Sequence, residues 1–254
     1  MKHGFGIAGI AGRMGRMLIE EVAAAGAPLS GGIDRNGGVN DATLFADIAG
    51  LAAESEVVID FTHASAVREH TRMLARAGTA WVLGTTGLSA DEEAEVAEAA
   101  KKIAVVYAPN FSPGVNLVLA LAERMAAALP AATYDAEIVE MHHRQKVDAP
   151  SGTAIGIGRA VARGRGVKLE DVMESGRHGH TGARAPGAIG FAAMRGGQVV
   201  GEHTLLFASG DEHISITHRA FDRRAFAAGA VRAALWVRGK PPGLYSMMDV
   251  LGMR

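Results

Sequence analysis

Residues 4–26 read GFGIAGIAGRMGRMLIEEVAAAG, a short apolar run that passes through Gly9, Gly12 and Gly15 into an amphipathic helical pattern. A strand that turns on glycines and opens a helix is the first step of a doubly wound parallel sheet. The spacing is G-x-x-G-x-x-G rather than the commoner G-x-G-x-x-G, so the strand–turn–helix context carries more weight than the motif. Glycines at such a turn let the backbone approach a pyrophosphate, whose charge meets the amide-rich end of the helix. That reading also needs an acid roughly 20 residues onward, at the end of the second strand, to accept hydrogen bonds from an adenosine ribose. Asp34 stands there, and Arg35 beside it has the charge to pair with a 2′-phosphate, so NADH and NADPH are both expected cofactors.

Outward from this stretch the same grammar continues to about residue 111. PLSGGID, SEVVIDF, AWVLGTT and IAVVYAP are short unalternating apolar runs, separated by the helical ASAVREHTRMLARAG and SADEEAEVAEAAKK. Strands of that texture belong to a parallel sheet covered on both faces. Ser89, followed by Asp91, Glu92 and Glu93, marks a helix start with negative charge on its first turn. Gly84, Thr85, Thr86 and Gly87 follow one apolar strand, and Ala108, Pro109, Asn110, Phe111 and Ser112 follow another. Ligands of open α/β sheets sit beyond the carboxyl ends of strands, so both loops are expected to border a nicotinamide.

After a long helix ended by Pro130, strands dominate: YDAEIVEMHH, AIGFAAMRGG, QVVGEHTLLFASG and EHISITHRAF, with SGTAIGIGRAVARG the helix among them. This is α+β texture on a largely open sheet. The helical RRAFAAGAVRAALW, residues 223–236, then has the pattern to pack back on the first domain. The expected division is 1–111 with 222–254 as a dinucleotide-binding domain, and 112–221 as a domain for substrate binding and oligomerisation.

Composition bounds the partners. The 254 residues carry 26 Lys plus Arg against 27 Asp plus Glu, so no global field attracts nucleic acid or an anionic membrane, and neither is an expected partner. Hydrophobic residues make up 48% and aromatic ones 5%, a core of aliphatic side chains. Cysteine is absent, which excludes disulfides, thiolate nucleophiles and cysteine metal sites and fits a reducing cytoplasm. MKHGFGIAGIAGRMG lacks a sustained apolar signal core, and no run of about 18 apolar residues occurs, so a soluble, untargeted chain is expected.

One segment concentrates positive charge in this near-neutral chain: EMHHRQKVDAPSGTA, residues 140–154. If its first part is a strand, His142 and His143 point to opposite faces. One then projects into a cleft as proton donor, while the other, with Lys146, supplies charge or hydrogen bonds at the edge. Ser151, Gly152 and Thr153 open a helix whose leading amides form an anion site. The segment reads as a carboxylate or phosphate trap with a proton donor beside it. Metal binding is a third option, with His178 and His180 as further candidates. Without His-Glu-x-x-His spacing or cysteine, no metal is expected.

The chain resembles the 4-hydroxy-tetrahydrodipicolinate reductase (dihydrodipicolinate reductase) family over nearly its full length. The resemblance rests on GIAGRMGR (9–16), VIDFT (58–62), GTTG (84–87), APNFSPGVN (108–116), EMHHRQKVDAPSGTA (140–154), GHTGARAPGAIGFAAMRGGQVVGEHTL (179–205) and GAVRAALWVRGKPPGLYSMMDVL (229–251). H-H-R-x-K followed by D-A-P-S-G-T-A is far more specific than the glycine ladder. The resemblance implies a Rossmann-type domain, a central substrate domain whose mixed sheets assemble a homotetramer, and a C-terminal return to the first domain. It implies that Gly9, Ile10, Ala11, Gly12, Arg13 and Met14 hold the pyrophosphate, that Asp34 and Arg35 meet the ribose or its 2′-phosphate, and that Gly84–Thr86 and Ala108–Phe111 line the nicotinamide. His142 matches the family's proton donor. His143, Lys146, Gly152 and Thr153 match its substrate contacts, and Lys146 also carries a donor role. The interval between Asp34 and VIDFT is shorter than in many members, which puts the adenosine contacts in more question than the chemistry.

The implied reaction is reduction of a cyclic imine dicarboxylate by a nicotinamide hydride, followed by proton delivery to the enamine. Two rivals differ in kind. An aspartate or homoserine dehydrogenase relative would share the glycine turn but not the 140–154 cluster. A non-catalytic NADH sensor would be expected to carry a basic DNA-reading element, and none stands out.

Overall fold

The computed structural model describes residues 2–35, 37, 39 and 42–253. The elements run β1 (Phe5–Ala8), α1 (Arg13–Ala24), β2 (Leu29–Ile33), α2 (Ile48–Glu54), β3 (Val57–Asp60), α3 (Ala64–Ala77), β4 (Ala80–Leu83), α4 (Ala90–Ala99), β5 (Ala104–Tyr107) and α5 (Pro113–Ala128). They continue with β6 (Asp135–His142), α6 (Gly152–Gly164), α7 (Leu169–Val172), β7 (Met173–Ser175), β8 (Ile189–Arg195), β9 (Gly201–Ala208), β10 (His213–Ala220), α8 (Arg224–Val237), β11 (Gly243–Tyr245) and α9 (Met247–Val250). The chain divides into two compact units, Met1–Pro113 with Arg224–Arg254, and Gly114–Arg223.

The first unit holds a six-stranded sheet in the order β11-β5-β4-β3-β1-β2, with every pairing parallel. Both faces are covered. Phe5, Ile7, Val57, Ile59 and Val82 turn to one side against Leu18 and Val22 of α1 and Ala230 and Ala234 of α8. Ala8, Val58, Trp81 and Leu83 turn to the other against Leu51 of α2, Leu74 of α3 and Val96 of α4. Burial on alternate sides explains the lack of polar alternation in these strands. At the start of α4 the expected signal is a full capping box: Ser89 Oγ accepts from the Glu92 amide, and the Glu92 carboxylate accepts from the Ser89 amide at 2.7 Å.

The second unit is built on a five-stranded mixed sheet, β10-β9-β6-β8-β7. β6 runs parallel to β8 and antiparallel to β9. Burial alternates strictly along β6, so Ala136, Ile138, Glu140 and His142 share the inward face. The first two meet Ala154, Ile157 and Val161 of α6 in the core. The same alternation carries Glu140 and His142 out of this apolar core toward the start of α6.

Candidate active site

Three glycines of the first turn do three different things. Gly9 has φ +83°, a conformation that side chains rarely adopt. Gly15 is packed so closely that a β-carbon there would overlap the Gly9 and Ile10 carbonyls. Gly12 is the N-cap of α1, has no side chain to cap the helix, and lines an open cavity. That cavity, about 670 Å³, is bordered also by Asp34, Arg35, Phe45, Thr62 and His63. Asp34 Oδ2 accepts from the Ala11 amide at 3.0 Å, tying the end of β2 to the glycine turn. A bare helix start, glycine backbone within reach and a cavity of this volume fit a dinucleotide.

The two loops expected at the nicotinamide are held from below. Gly84 has no room for a side chain, because a β-carbon would land on the Phe61 ring, and Phe61 in turn meets Phe111 edge-on at 5.6 Å. Thr85 and Phe111 are buried, so these loops offer a ligand mainly backbone, with Thr86 and Pro109 exposed. Asn110 Oδ1 accepts from the Ser112 amide at 2.8 Å. Beneath them Asp60, fully buried, accepts from Thr62 Oγ1 at 2.7 Å and lies 2.6 Å from His70 Nδ1.

In the second unit, EMHHRQKVDAPSGTA winds around a buried carboxylate. Glu140 is 1% exposed. Its Oε2 lies 2.6 Å from His142 Nδ1 and accepts from Arg195 Nη1 at 2.9 Å; its Oε1 accepts from Arg195 Nη2 at 2.8 Å and from the Ser151 amide at 3.2 Å. Burial pushes the Glu140 carboxyl up, but Arg195 and His142 outweigh it and hold the group below its ordinary value. Burial pushes His142 below the ordinary imidazole value; Glu140 opposes this, while Lys146 and Arg195 reinforce it. His142 is therefore close enough to Lys146 to feel its charge.

His142 and His143 do part company. His142 is buried, whereas His143, just past the end of β6, is half-buried, with its amide donating to the Val199 carbonyl at 2.7 Å. Among the described residues His143 Nδ1 is enclosed without a hydrogen-bond partner. Lys146 Nζ donates to both Asp148 oxygens, at 2.7 and 2.8 Å. Ser151 caps α6 by accepting from the Ala154 amide at 3.2 Å, and its hydroxyl lies 2.9 Å from His203 Nε2. That hydroxyl is committed inside the protein, while Gly152 is exposed at the helix start.

Two family models span this architecture: "Dihydrodipicolinate reductase, N-terminus" matches residues 4–111 and "Dihydrodipicolinate reductase, C-terminus" residues 114–251. The chain belongs to the dihydrodipicolinate reductase family. A relative from Granulibacter bethesdensis named 4-hydroxy-tetrahydrodipicolinate reductase is 71% identical over 253 residues, covering 98% of this chain and 97% of the relative. Another of that name, from Acidiphilium cryptum, is 62% identical over 248 residues, covering 98% and 97%. A dipicolinate-bound dihydrodipicolinate reductase from Paenisporosarcina sp. TG-14 shares the fold with a TM-score of 0.79 at 24% identity, over 98% of this chain and 99% of that one. An aspartate dehydrogenase from Thermotoga maritima does so at 0.55 and 10%, over 95% and 99%. The fold is thus shared with other dehydrogenases.

Sequence reasoning overlooked four residues that this dihydrodipicolinate reductase family member places around His142. Glu140 and Arg195 clamp its Nδ1 side. His203 meets its ring edge-on at 5.1 Å and is pushed by burial down to about 4, so it is neutral at physiological pH. Gly201 leaves space for its Nε2. Alternation along YDAEIVEMHH already put Glu140 on the face of His142, and that was the one signal available. No described group of His, Asp or Glu has the arrangement to hold a metal ion. No helix among the described residues is long and apolar enough to cross a membrane.

Proposed function

We propose that this chain is an NAD(P)H-dependent oxidoreductase that reduces the cyclic imine derived from 4-hydroxy-tetrahydrodipicolinate to tetrahydrodipicolinate, on the route to diaminopimelate and lysine. The observation that carries the reading is the 140–154 segment. A buried carboxylate holds one edge of an imidazole, and an ammonium and a helix start lie in the same short stretch.

Reduced nicotinamide, when bound, supplies the hydride. Gly9, Ile10, Ala11, Gly12, Arg13 and Met14 hold its pyrophosphate, Asp34 and Arg35 meet the adenosine ribose or 2′-phosphate, and Gly84–Thr86 with Ala108–Phe111 border the ring. Lys146 and the first-turn amides at Gly152 and Thr153 hold a substrate carboxylate, a charge-assisted contact of the stronger kind. His143 gives a further substrate contact, and Ser151 contributes by fixing the helix start. His142 delivers the proton to the enamine from Nε2. Burial lowers the proton affinity of His142 in the empty site, and the negative charge of a bound dicarboxylate works in the opposite direction, favouring the imidazolium that donates.

The first unit is the dinucleotide-binding domain and the second the substrate and assembly domain. The second sheet supports self-association into a homotetramer, since β10 is exposed along most of its length and Ile214 and Met194 stand 40% and 47% exposed. The absence of cysteine supports a cytoplasmic location. The direct test mixes the purified chain with NADH and freshly generated cyclic imine and follows the nicotinamide absorbance. Loss of absorbance that requires the imine supports the reading. Oxidation of NADH with oxaloacetate and ammonium instead of the imine would move the chain to the amino-acid dehydrogenases.

A further inference from the structure

We infer that Glu140 and Arg195 form the positioning pair of the reaction, locking His142 so that Nδ1 keeps its proton and Nε2 is the only nitrogen that works. The inference rests on reading His142 as the proton donor.

Four donors converge on Glu140, two on each oxygen: His142 Nδ1 and Arg195 Nη1 on Oε2, Arg195 Nη2 and the Ser151 amide on Oε1. An ionised carboxylate only accepts, so the nitrogen facing it must be Nδ1–H. The imidazole can then exchange protons only at Nε2. Arg195 is fixed in turn, donating to the carbonyls of Met194 and Asp148, both at 2.6 Å. It is also the residue in register with His142 across the β6–β8 pairing. The clamp thereby joins β6, β8, the loop at Asp148 and the start of α6 at one carboxylate.

Stability alone gives no reason for this arrangement. A buried ion pair roughly breaks even against apolar side chains of similar size, because desolvation consumes the Coulombic gain. A carboxylate that is 1% exposed, pays that desolvation and spends one oxygen on an imidazole is explained by the imidazole. The charged groups around His142 are Glu140 on its own strand, Arg195 on β8 and Lys146 on the following loop, with the neutral His203 on β9. Of these only Glu140 favours the imidazolium.

The test compares Glu140→Gln, Arg195→Lys and His142→Gln by steady-state kinetics across pH. Glu140→Gln keeps the shape but places an amide where the carboxylate was, so kcat should fall about a hundredfold with the substrate KM changed less than about threefold. The acidic form of His142 should persist only to lower pH, because the one group that raises its proton affinity is gone. Arg195→Lys, which keeps the charge but loses the fork, should fall between Glu140→Gln and the parent. The folded parent gives a readout independent of turnover. Its His142 nitrogen resonances, assigned by their loss in His142→Gln, should report a protonated Nδ1 and a bare Nε2 in the neutral form. A bare Nδ1 there would overturn the inference. So would a Glu140→Gln enzyme with unchanged kcat and pH profile while His142→Gln is crippled. Full turnover in His142→Gln would instead remove the proton-donor reading beneath it.

Discussion

Gly201, at the start of β9, sits against the working edge of His142: a β-carbon at 201 would come within 3.0 Å of Nε2. The imidazole cannot swing away, because Glu140 grips Nδ1 from the other side at 2.6 Å.

Gly201→Ala is accordingly expected to block Nε2 while leaving the Glu140–His142 contact in place. kcat should drop about tenfold or more, with NADH affinity unchanged and the melting temperature within a few degrees. Steady-state kinetics with calorimetry checks this; an alanine variant of parental kcat would show that Nε2 works from elsewhere.

Lys146 already has a carboxylate, that of Asp148, which a substrate carboxylate held there would have to displace. Lys146→Ala should lower kcat/KM about ten- to a hundredfold, on the order of 1.5–3 kcal/mol for a hydrogen bond to a charged group. Asp148→Asn should do the reverse for binding, freeing the ammonium. Pyridine-2,6-dicarboxylate, which cannot be reduced, reads this directly: its inhibition constant should rise in Lys146→Ala and fall in Asp148→Asn. Equal inhibition of all three proteins would exclude Lys146 as the carboxylate holder.

At the glycine turn the prediction is a contrast. Gly12→Val should abolish NADH binding in a folded protein, since Gly12 faces the cavity and a β-carbon there meets only the Gly9 carbonyl, at 3.2 Å. Gly15→Ala should damage folding, since its β-carbon would collide with two backbone carbonyls. Circular dichroism and fluorescence titration of NADH separate the two outcomes.

His203 makes stability pH-dependent with a definite sign. Burial lowers it from 6.5 to about 4, so between those values the unfolded chain binds a proton that the folded one refuses. Its contribution is complete above pH 6.5 and is lost as pH falls toward 4, about 3 kcal/mol in all. The melting temperature should decline over this window, and less steeply in His203→Gln, whose amide can keep a hydrogen bond to the Ser151 hydroxyl. Parallel curves would show that His203 does not govern the decline.

The sequence made the middle of the first sheet legible because β1, β3, β4 and β5 are buried on both faces and so read as uninterrupted apolar runs. It missed α2, which is short, though Asp47 capping the Gly50 amide and the buried Ile48, Leu51 and Ala52 were there as signals. It also missed β11, three residues whose strand character comes only from pairing with β5. In the second unit the residues that bear charge in one continuous segment, His142, His143 and Lys146, stood out. Arg195, Gly201 and His203 did not, because each is an ordinary strand residue until β8 and β9 bring it beside β6. A site assembled across a sheet hides from a reading that moves along one strand at a time.

The hydrogen bond from the Ala11 amide to Asp34 has a consequence for redesign. The acid proposed to recognise the adenosine ribose is also a strut of the loop proposed to carry the pyrophosphate. Removing its charge to welcome a phosphorylated cofactor is therefore expected to weaken binding of every dinucleotide at once. Conversion of cofactor choice has to begin with Arg35, or across the cavity at His63 and Ser65, and leave Asp34 in place.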